Sequence, residues 1–357
     1  MNENRKFLRF SNWEEYKEIV SESDERKKIP PPLFEQPYPK EAKLIDLVPQ
    51  EEFKIGKKPF LSVVNTRKSR REYKEDPLTL EELSFLLWCT QGLKRQLRSG
   101  RGVLRTVPSS GAKSPFETYL VINRVEGLKP GLYRYISFEH KLLYIKEIEE
   151  AEKTIGKLTY DQIFVGKAPV IFFWTAVPYR TEWSYSTLAH KVIAVDLGLI
   201  CQSLYMACEA IKLGTCAIGG YDQKNLDKLF ELNPEEEFVV LVQPVGKYPK
   251  EKKITEFFKN PQAEAKTEDL KKLPGTYTRT HQGQTAVVEI SIEEEKLYAK
   301  IRDYKERLDS YNATEFEGEY FRVVRFILTK DGKPEKIIVL IIASGETVEL
   351  IYQEPDT

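Results

Sequence analysis

The chain has 357 residues, 41% of them hydrophobic, and its 55 Lys and Arg are balanced by 55 Asp and Glu. That length is enough for about two domains with a sizeable core, and the balance excludes an overall field drawing the chain to nucleic acid, an anionic membrane or an acidic substrate. Four cysteines, Cys89, Cys201, Cys208 and Cys216, lack CxxC spacing, and His140, His190 and His281 are scattered among them, so no metal site is expected.

The polar start Met1 to Arg5 has none of the regions of a signal peptide, which points to a cytoplasmic protein with reduced thiols. Apolar runs such as Ala168 to Val177 fall short of the roughly 20 residues that span a bilayer, so no membrane contact is expected.

Residues 1–59 read as an extension: a short helix from near Ser11-Asn12, then a strap punctuated by Pro30, Pro31, Pro32, Pro37 and Pro39, favouring extended backbone. The strap reads either as a passive linker or as a segment that packs through Tyr38, Leu44, Ile45 and Leu47. Residues 60–258 alternate between helix and strand signals. Thr79 and Glu82 form a capping box that opens a helix with Leu83, Leu86, Leu87 and Thr90 on one face, and Gly92 ends it. Phe116 to Ile122, Val170 to Trp174 and Phe238 to Val245 read as strands. A long, mostly apolar helix from Leu188 to Lys212 is expected to lie in the core or at a dimer interface.

A polar link from Asn260 to Lys272 leads to residues 273–357, where alternating strands are expected at Ala286 to Ile292, Lys296 to Ile301, Tyr320 to Leu328 and Lys336 to Ile342. An Asp331-Gly332 turn precedes the last. This part reads as a small all-β barrel or sandwich.

Three separated segments carry chemistry. In extended backbone Arg67, Ser69 and Arg71 point the same way and converge on one anion, although the segment alone also reads as a solvated basic turn. Pro108-Ser109-Ser110-Gly111 is a small-residue loop, and also a common type of turn. Leu213 to Tyr221 includes Gly214, Gly219 and Gly220, where backbone N–H groups can approach a planar ring; Gly214 also reads as a helix C-cap.

Together, in this order, the segments resemble the FMN-dependent nitroreductase family, and Gly131-Leu132-Tyr133-Arg134-Tyr135 resembles a segment of its SagB-type dehydrogenase branch. The resemblance covers residues 60 to 250. It implies an α+β fold, a sheet wrapped by helices, in a homodimer with FMN at the interface. Arg67, Ser69 and Arg71 would hold phosphate and ribityl oxygens, with Lys247 as a further phosphate contact. Pro108, Ser109 and Ser110 would reach the flavin from the partner subunit, and the N–H groups of Gly219 and Gly220 would face flavin N5.

The implied activity passes hydride between NAD(P)H and an electron acceptor, a small molecule or a peptide-derived substrate. The alternatives are a SagB-type dehydrogenase of peptide-derived rings or another metabolite, and a flavin-binding or sensing protein without turnover. Azoline-oxidising relatives carry a Lys-Tyr pair before the long helix; here Ser184 stands in place of the lysine, and Tyr185 is either an acid or a wall of the site. The start of the C-terminal part, Leu273 to Tyr277, together with Lys296-Leu297-Tyr298, resembles small lipocalin-like modules.

Overall fold

The computed structural model describes residues 13–249, 267–281, 284–310, 314–318, 321–341 and 347–354. Two compact units divide the chain, residues 1–249 and 250–357.

The first unit is built on a seven-stranded sheet. Its strands are β1 (Leu44–Asp46), β4 (Phe116–Ile122), β5 (Gly131–Ile136), β6 (Lys141–Lys146), β7 (Val170–Ala176), β8 (Leu213–Thr215) and β9 (Phe238–Lys247), and β2 (Leu93–Gln96) and β3 (Val103–Arg105) form a separate hairpin. The sheet order is β1-β6-β5-β4-β7-β9-β8, with every neighbouring pair antiparallel.

The central strands are buried throughout because both faces of the sheet are covered. Phe116, Leu120 and Ile122 of β4 and Phe172 and Trp174 of β7 point into one layer. Helices α3 (Leu80–Gln91) and α7 (Ala189–Ala210) cover it with Leu83, Leu86, Leu87, Ile193, Ile200 and Leu204. The alternate residues Tyr119, Val121, Ile171 and Phe173 meet α4 (Ala151–Leu158), α5 (Ile163–Gly166) and α8 (Gln223–Leu229) through Ile155, Val165 and Leu226. The capping box at Thr79 and Glu82 is formed and Gly92 closes α3, as the sequence predicts.

The long helix buries one side in the core and leaves Val195 55% and Leu199 41% exposed on the other, so it is not enclosed centrally, and the exposed stripe is the face that the dimer-interface reading would cover. Together with α6 (Tyr179–Tyr185) it makes a run, Tyr179–Ala210, that is long and apolar enough by length and composition to cross a bilayer, a feature that inspection of apolar runs overlooks. Gly214 is no helix cap, since Lys212 takes the left-handed conformation and Gly214 lies within β8.

The described part of the extension belongs to the first unit and packs on its sheet and helices. Its helix α1 (Trp13–Ser21) starts beyond the residues not described at 1–12. The strap is gripped by its backbone: Arg180 donates to the Leu33 carbonyl, Arg105 to that of Phe34, and Arg134 to those of Gln36 and Pro37. The Glu35 carboxylate accepts from the Ser137 N–H and hydroxyl.

In the second unit, strands β10 (Gly275–His281), β11 (Gln284–Glu293), β12 (Lys296–Ile301), β13 (Tyr304–Ser310), β14 (Glu315–Glu317), β15 (Phe321–Leu328), β16 (Pro334–Ile341) and β17 (Thr347–Gln353) close into a barrel. Each strand pairs with the next, and β17 returns to β10. Tyr277, Leu297, Ala299, Phe316, Phe326, Ile337 and Leu350 pack its core. Gly332, at φ 78°, turns β15 into β16. Tyr320 and Ile342, expected at strand ends, and most of the expected polar link lie outside the described residues, while Thr267–Leu270 of that link is one helical turn.

Candidate cofactor site

Residues Arg67 to Arg71 follow the short helix α2 (Phe60–Thr66) and run beside β8, where Ser69 bridges to Thr215 and the Arg70 N–H donates to the Thr215 carbonyl at 3.0 Å. Extended backbone sends alternate side chains to opposite sides. Arg67 and Ser69 meet Tyr205 of α7: the guanidinium lies 5.3 Å from the ring centre, and the Ser69 and Tyr205 hydroxyls are 2.9 Å apart. Arg70 turns the other way, buried between the Tyr248 ring and the Glu209 carboxylate, 3.4 Å from a guanidinium nitrogen. Arg71 is half-buried.

Glu209, one turn beyond Tyr205, also accepts from the Lys58 ammonium and the Thr66 hydroxyl, each at 2.6 Å. Burial raises its pKa, but these hydrogen bonds and the charges of Lys58 and Arg70 outweigh it and hold the carboxyl below its ordinary range. The helix thus supplies a fixed anion beneath the basic segment while Ser69 stays exposed.

The glycine segment joins the same group. The Ala217 N–H donates to the Tyr205 hydroxyl at 2.8 Å, and Ile218 bridges to Val242 of β9. Gly214 is required by packing, since a Cβ there would stand 2.6 Å from the Arg70 Cδ. Gly219 differs: it is exposed, a Cβ would meet nothing within 4 Å, and its φ lies outside the left-handed range. Neither strain nor packing within the chain requires glycine there, which fits a surface left open for a flat ligand. At Gly220 a Cβ would lie 3.6 Å from Tyr160.

The serine loop is held elsewhere. Pro108 is exposed, the Ser109 hydroxyl accepts from the Ser114 N–H at 3.0 Å, and Ser110 is bound to Asp196 of α7. Burial raises the Asp196 pKa against the opposing hydrogen bonds from Ser110. Gly111 has φ 59°, and a Cβ on it would come within 2.8 Å of the Tyr185 hydroxyl. Tyr185 therefore borders this loop, and burial, reinforced by Tyr16, Asp196 and Glu25, raises its pKa. Ser184 is buried and donates to the Glu25 carboxylate. Lys247 ends β9 with its ammonium 2.8 Å from the Pro77 carbonyl and 3.8 Å from the Glu82 carboxylate.

Of the residues expected from sequence, Arg67, Ser69 and the approach to Gly219 and Gly220 share the Tyr205 anchor, whereas Ser109, Ser110 and Tyr185 form a separate cluster. Asp196, Tyr205 and Glu209 escaped notice. Their only signal is polarity within a mostly apolar helix, shared with His190, Lys191, Gln202 and Ser203.

Three comparisons bear on this arrangement. The family model described as "Nitroreductase family" matches residues 64–247. A protein of Methanocaldococcus jannaschii named as a nitroreductase is 30% identical over 185 residues, 52% of this chain and 89% of its own length. Among solved structures, a nitroreductase-type protein of Ralstonia eutropha JMP134 is 27% identical, covering 62% of this chain and all of its own, with a TM-score of 0.49. The E. coli microcin synthetase McbBCD complex with truncated pro-MccB17 is 15% identical, covering 69% of this chain and 87% of the matched one, with a TM-score of 0.44.

Proposed function

The chain belongs to the nitroreductase family, and from that premise we propose that it is an FMN-dependent oxidoreductase working as a cytoplasmic homodimer. When bound, FMN supplies a two-electron carrier able to take hydride from NAD(P)H and deliver it to an acceptor. Arg67 and Ser69 hold the phosphate end, with Arg71 beside them. The exposed N–H groups of Gly219 and Gly220 serve the ring end, as fixed dipoles that need no titrating side chain. One observation carries the reading: a single residue, Tyr205, joins the basic segment to the loop whose Gly219 opens onto empty space.

Tyr185 stays protonated through the neutral range and holds a proton at its hydroxyl beside the serine loop, where it would face a substrate. The Gly131 to Tyr135 segment, now strand β5, favours the SagB-type branch as the second reading. Ser184 cannot act as the lysine of azoline oxidases does, so conversion of thiazoline peptides is expected to be absent or slow.

The protein should purify with non-covalent FMN. Heat release and chromatography of the flavin, then anaerobic titration with NADH and NADPH, test the proposal. Recovery of FAD alone, or of no flavin after reconstitution, would overturn it, and a bound FMN that neither nucleotide reduces would favour the other readings.

A further inference from the structure

The Tyr205 hydroxyl has one hydrogen to give and lone pairs to accept with. It accepts from the Ala217 N–H at 2.8 Å, and among the described residues the other polar atom bonded to it is the Ser69 hydroxyl oxygen at 2.9 Å. Donation from Tyr205 to Ser69 satisfies both hydroxyls and leaves the Ser69 hydrogen free, on an exposed side chain next to Arg67. A phosphate monoester oxygen accepts only, so a serine that binds one must donate. The reverse direction would spend the serine hydrogen on Tyr205 and turn a lone pair towards the anion.

We infer that Tyr205 is the positioning residue of the phosphate end, passing a hydrogen-bond chain from Ala217 N–H through its own hydroxyl to Ser69, whose hydrogen is thereby directed at a phosphate monoester. Each link polarises the next in the same direction, which strengthens the terminal donor. The chain also fixes the separation between the phosphate segment and the glycine loop, since both hang from one oxygen. Glu209, a turn along the helix, anchors Arg70 and holds the other side of the segment still. This assignment rests on the FMN reading, and it specifies that Tyr205 acts on the phosphate and not on the ring.

Flavin fluorescence titrations of the full chain with FMN and with riboflavin, which lacks the phosphate, test it. Tyr205→Phe keeps the ring and removes the hydroxyl; FMN binding should weaken about three- to tenfold, the range of one neutral hydrogen bond, and riboflavin binding by less than about twofold. Ser69→Ala should show the same split, and the double variant should bind FMN no worse than Ser69→Ala alone, because the two act in series. Equal weakening for both flavins, no weakening in Tyr205→Phe, or additive losses would overturn the assignment. If Tyr205→Phe fails to fold, the Ser69→Ala split decides. A wild-type chain that binds no FMN would instead refute the cofactor reading itself.

Discussion

Ser110 gives both its N–H and its hydroxyl to the Asp196 carboxylate, at 3.0–3.1 Å. Tyr205, which holds the phosphate segment, lies nine residues further along the same helix, an advance of about 13 Å and a rotation of about half a turn. Within one chain the serine loop and the phosphate segment therefore take opposite sides of α7. A site using both is therefore expected to take its loop from a second copy.

The exposed stripe of α7 is the expected meeting surface. Val195 and Leu199 stand one turn apart, and α2, which packs near α7, exposes Phe60, Leu61 and Val64. Leu199→Arg should shift the protein towards monomer and lower its flavin occupancy together. Light scattering with a flavin-to-protein ratio checks this; a monomer with full occupancy would contradict a shared site.

Arg67 and Arg70 should fail in different ways. Arg67→Ala should weaken FMN about tenfold to a hundredfold, the range of a charge-assisted contact, with little change in melting temperature. Arg70→Ala removes one of two cations on the buried Glu209, which keeps Lys58, and should cost about 1–3 kcal/mol of stability. Denaturation curves alongside flavin titration separate the two, and similar stability losses at both positions would contradict the alternation of side chains.

The glycines separate likewise. Gly214→Ala drives a Cβ into the Arg70 side chain and should destabilise by about 1–3 kcal/mol. Gly219→Leu has open space on this chain and should fold normally while excluding flavin. Retained flavin binding in Gly219→Leu would show that the ring lies elsewhere.

Glu237 gives a pH signature. It is buried, with its carboxylate accepting from the Thr175 hydroxyl at 2.5 Å, and burial, aided by Glu117, pushes its pKa up to about 7 from 4.5. The folded state thus binds a proton that the unfolded state has released, so this contribution is full below pH 4.5 and is lost as pH rises through about 7. The loss amounts to about 3 kcal/mol. Glu237→Gln should gain stability relative to wild type between pH 5 and pH 8 in urea titrations; a pH-independent difference would refute the shift.

Residues 1–249 alone should remain folded and yellow, since the barrel closes its strands on one another in chain order and its core uses its own residues. Loss of FMN from that shortened chain would assign part of the cofactor site to the barrel.

Much of this was legible because it is local or periodic. The Thr79-Glu82 box and the strand at Phe116 to Ile122 depend on neighbours a few residues away, and the order of the three segments pointed to the family. The Tyr205 anchor was not legible, because it joins residues 69, 205 and 217 through a fold that periodicity does not specify. Gly214 misled for the same reason: its small size answers to Arg70, 144 residues earlier, while the helix ends by a left-handed Lys212. Lys247, which the family resemblance assigns to the phosphate, reaches the Pro77 carbonyl and Glu82 within this chain, contacts that lie 170 and 165 residues away in sequence and that no local pattern announces.

The grip on the proline-punctuated strap has an evolutionary corollary. Arg105, Arg134 and Arg180 hold it by main-chain carbonyls, which every residue type possesses, and Leu33 is left 68% exposed. Exposed strap side chains such as Leu33 can therefore drift, while the three arginines, the buried Phe34 and the bonded Glu35 cannot, since losing any of the arginines would strand carbonyls and leave its neighbours' buried charges unbalanced. Among relatives that keep this strap, the record of its presence should be read in those arginines and in Phe34 and Glu35, even where the strap's exposed letters have diverged.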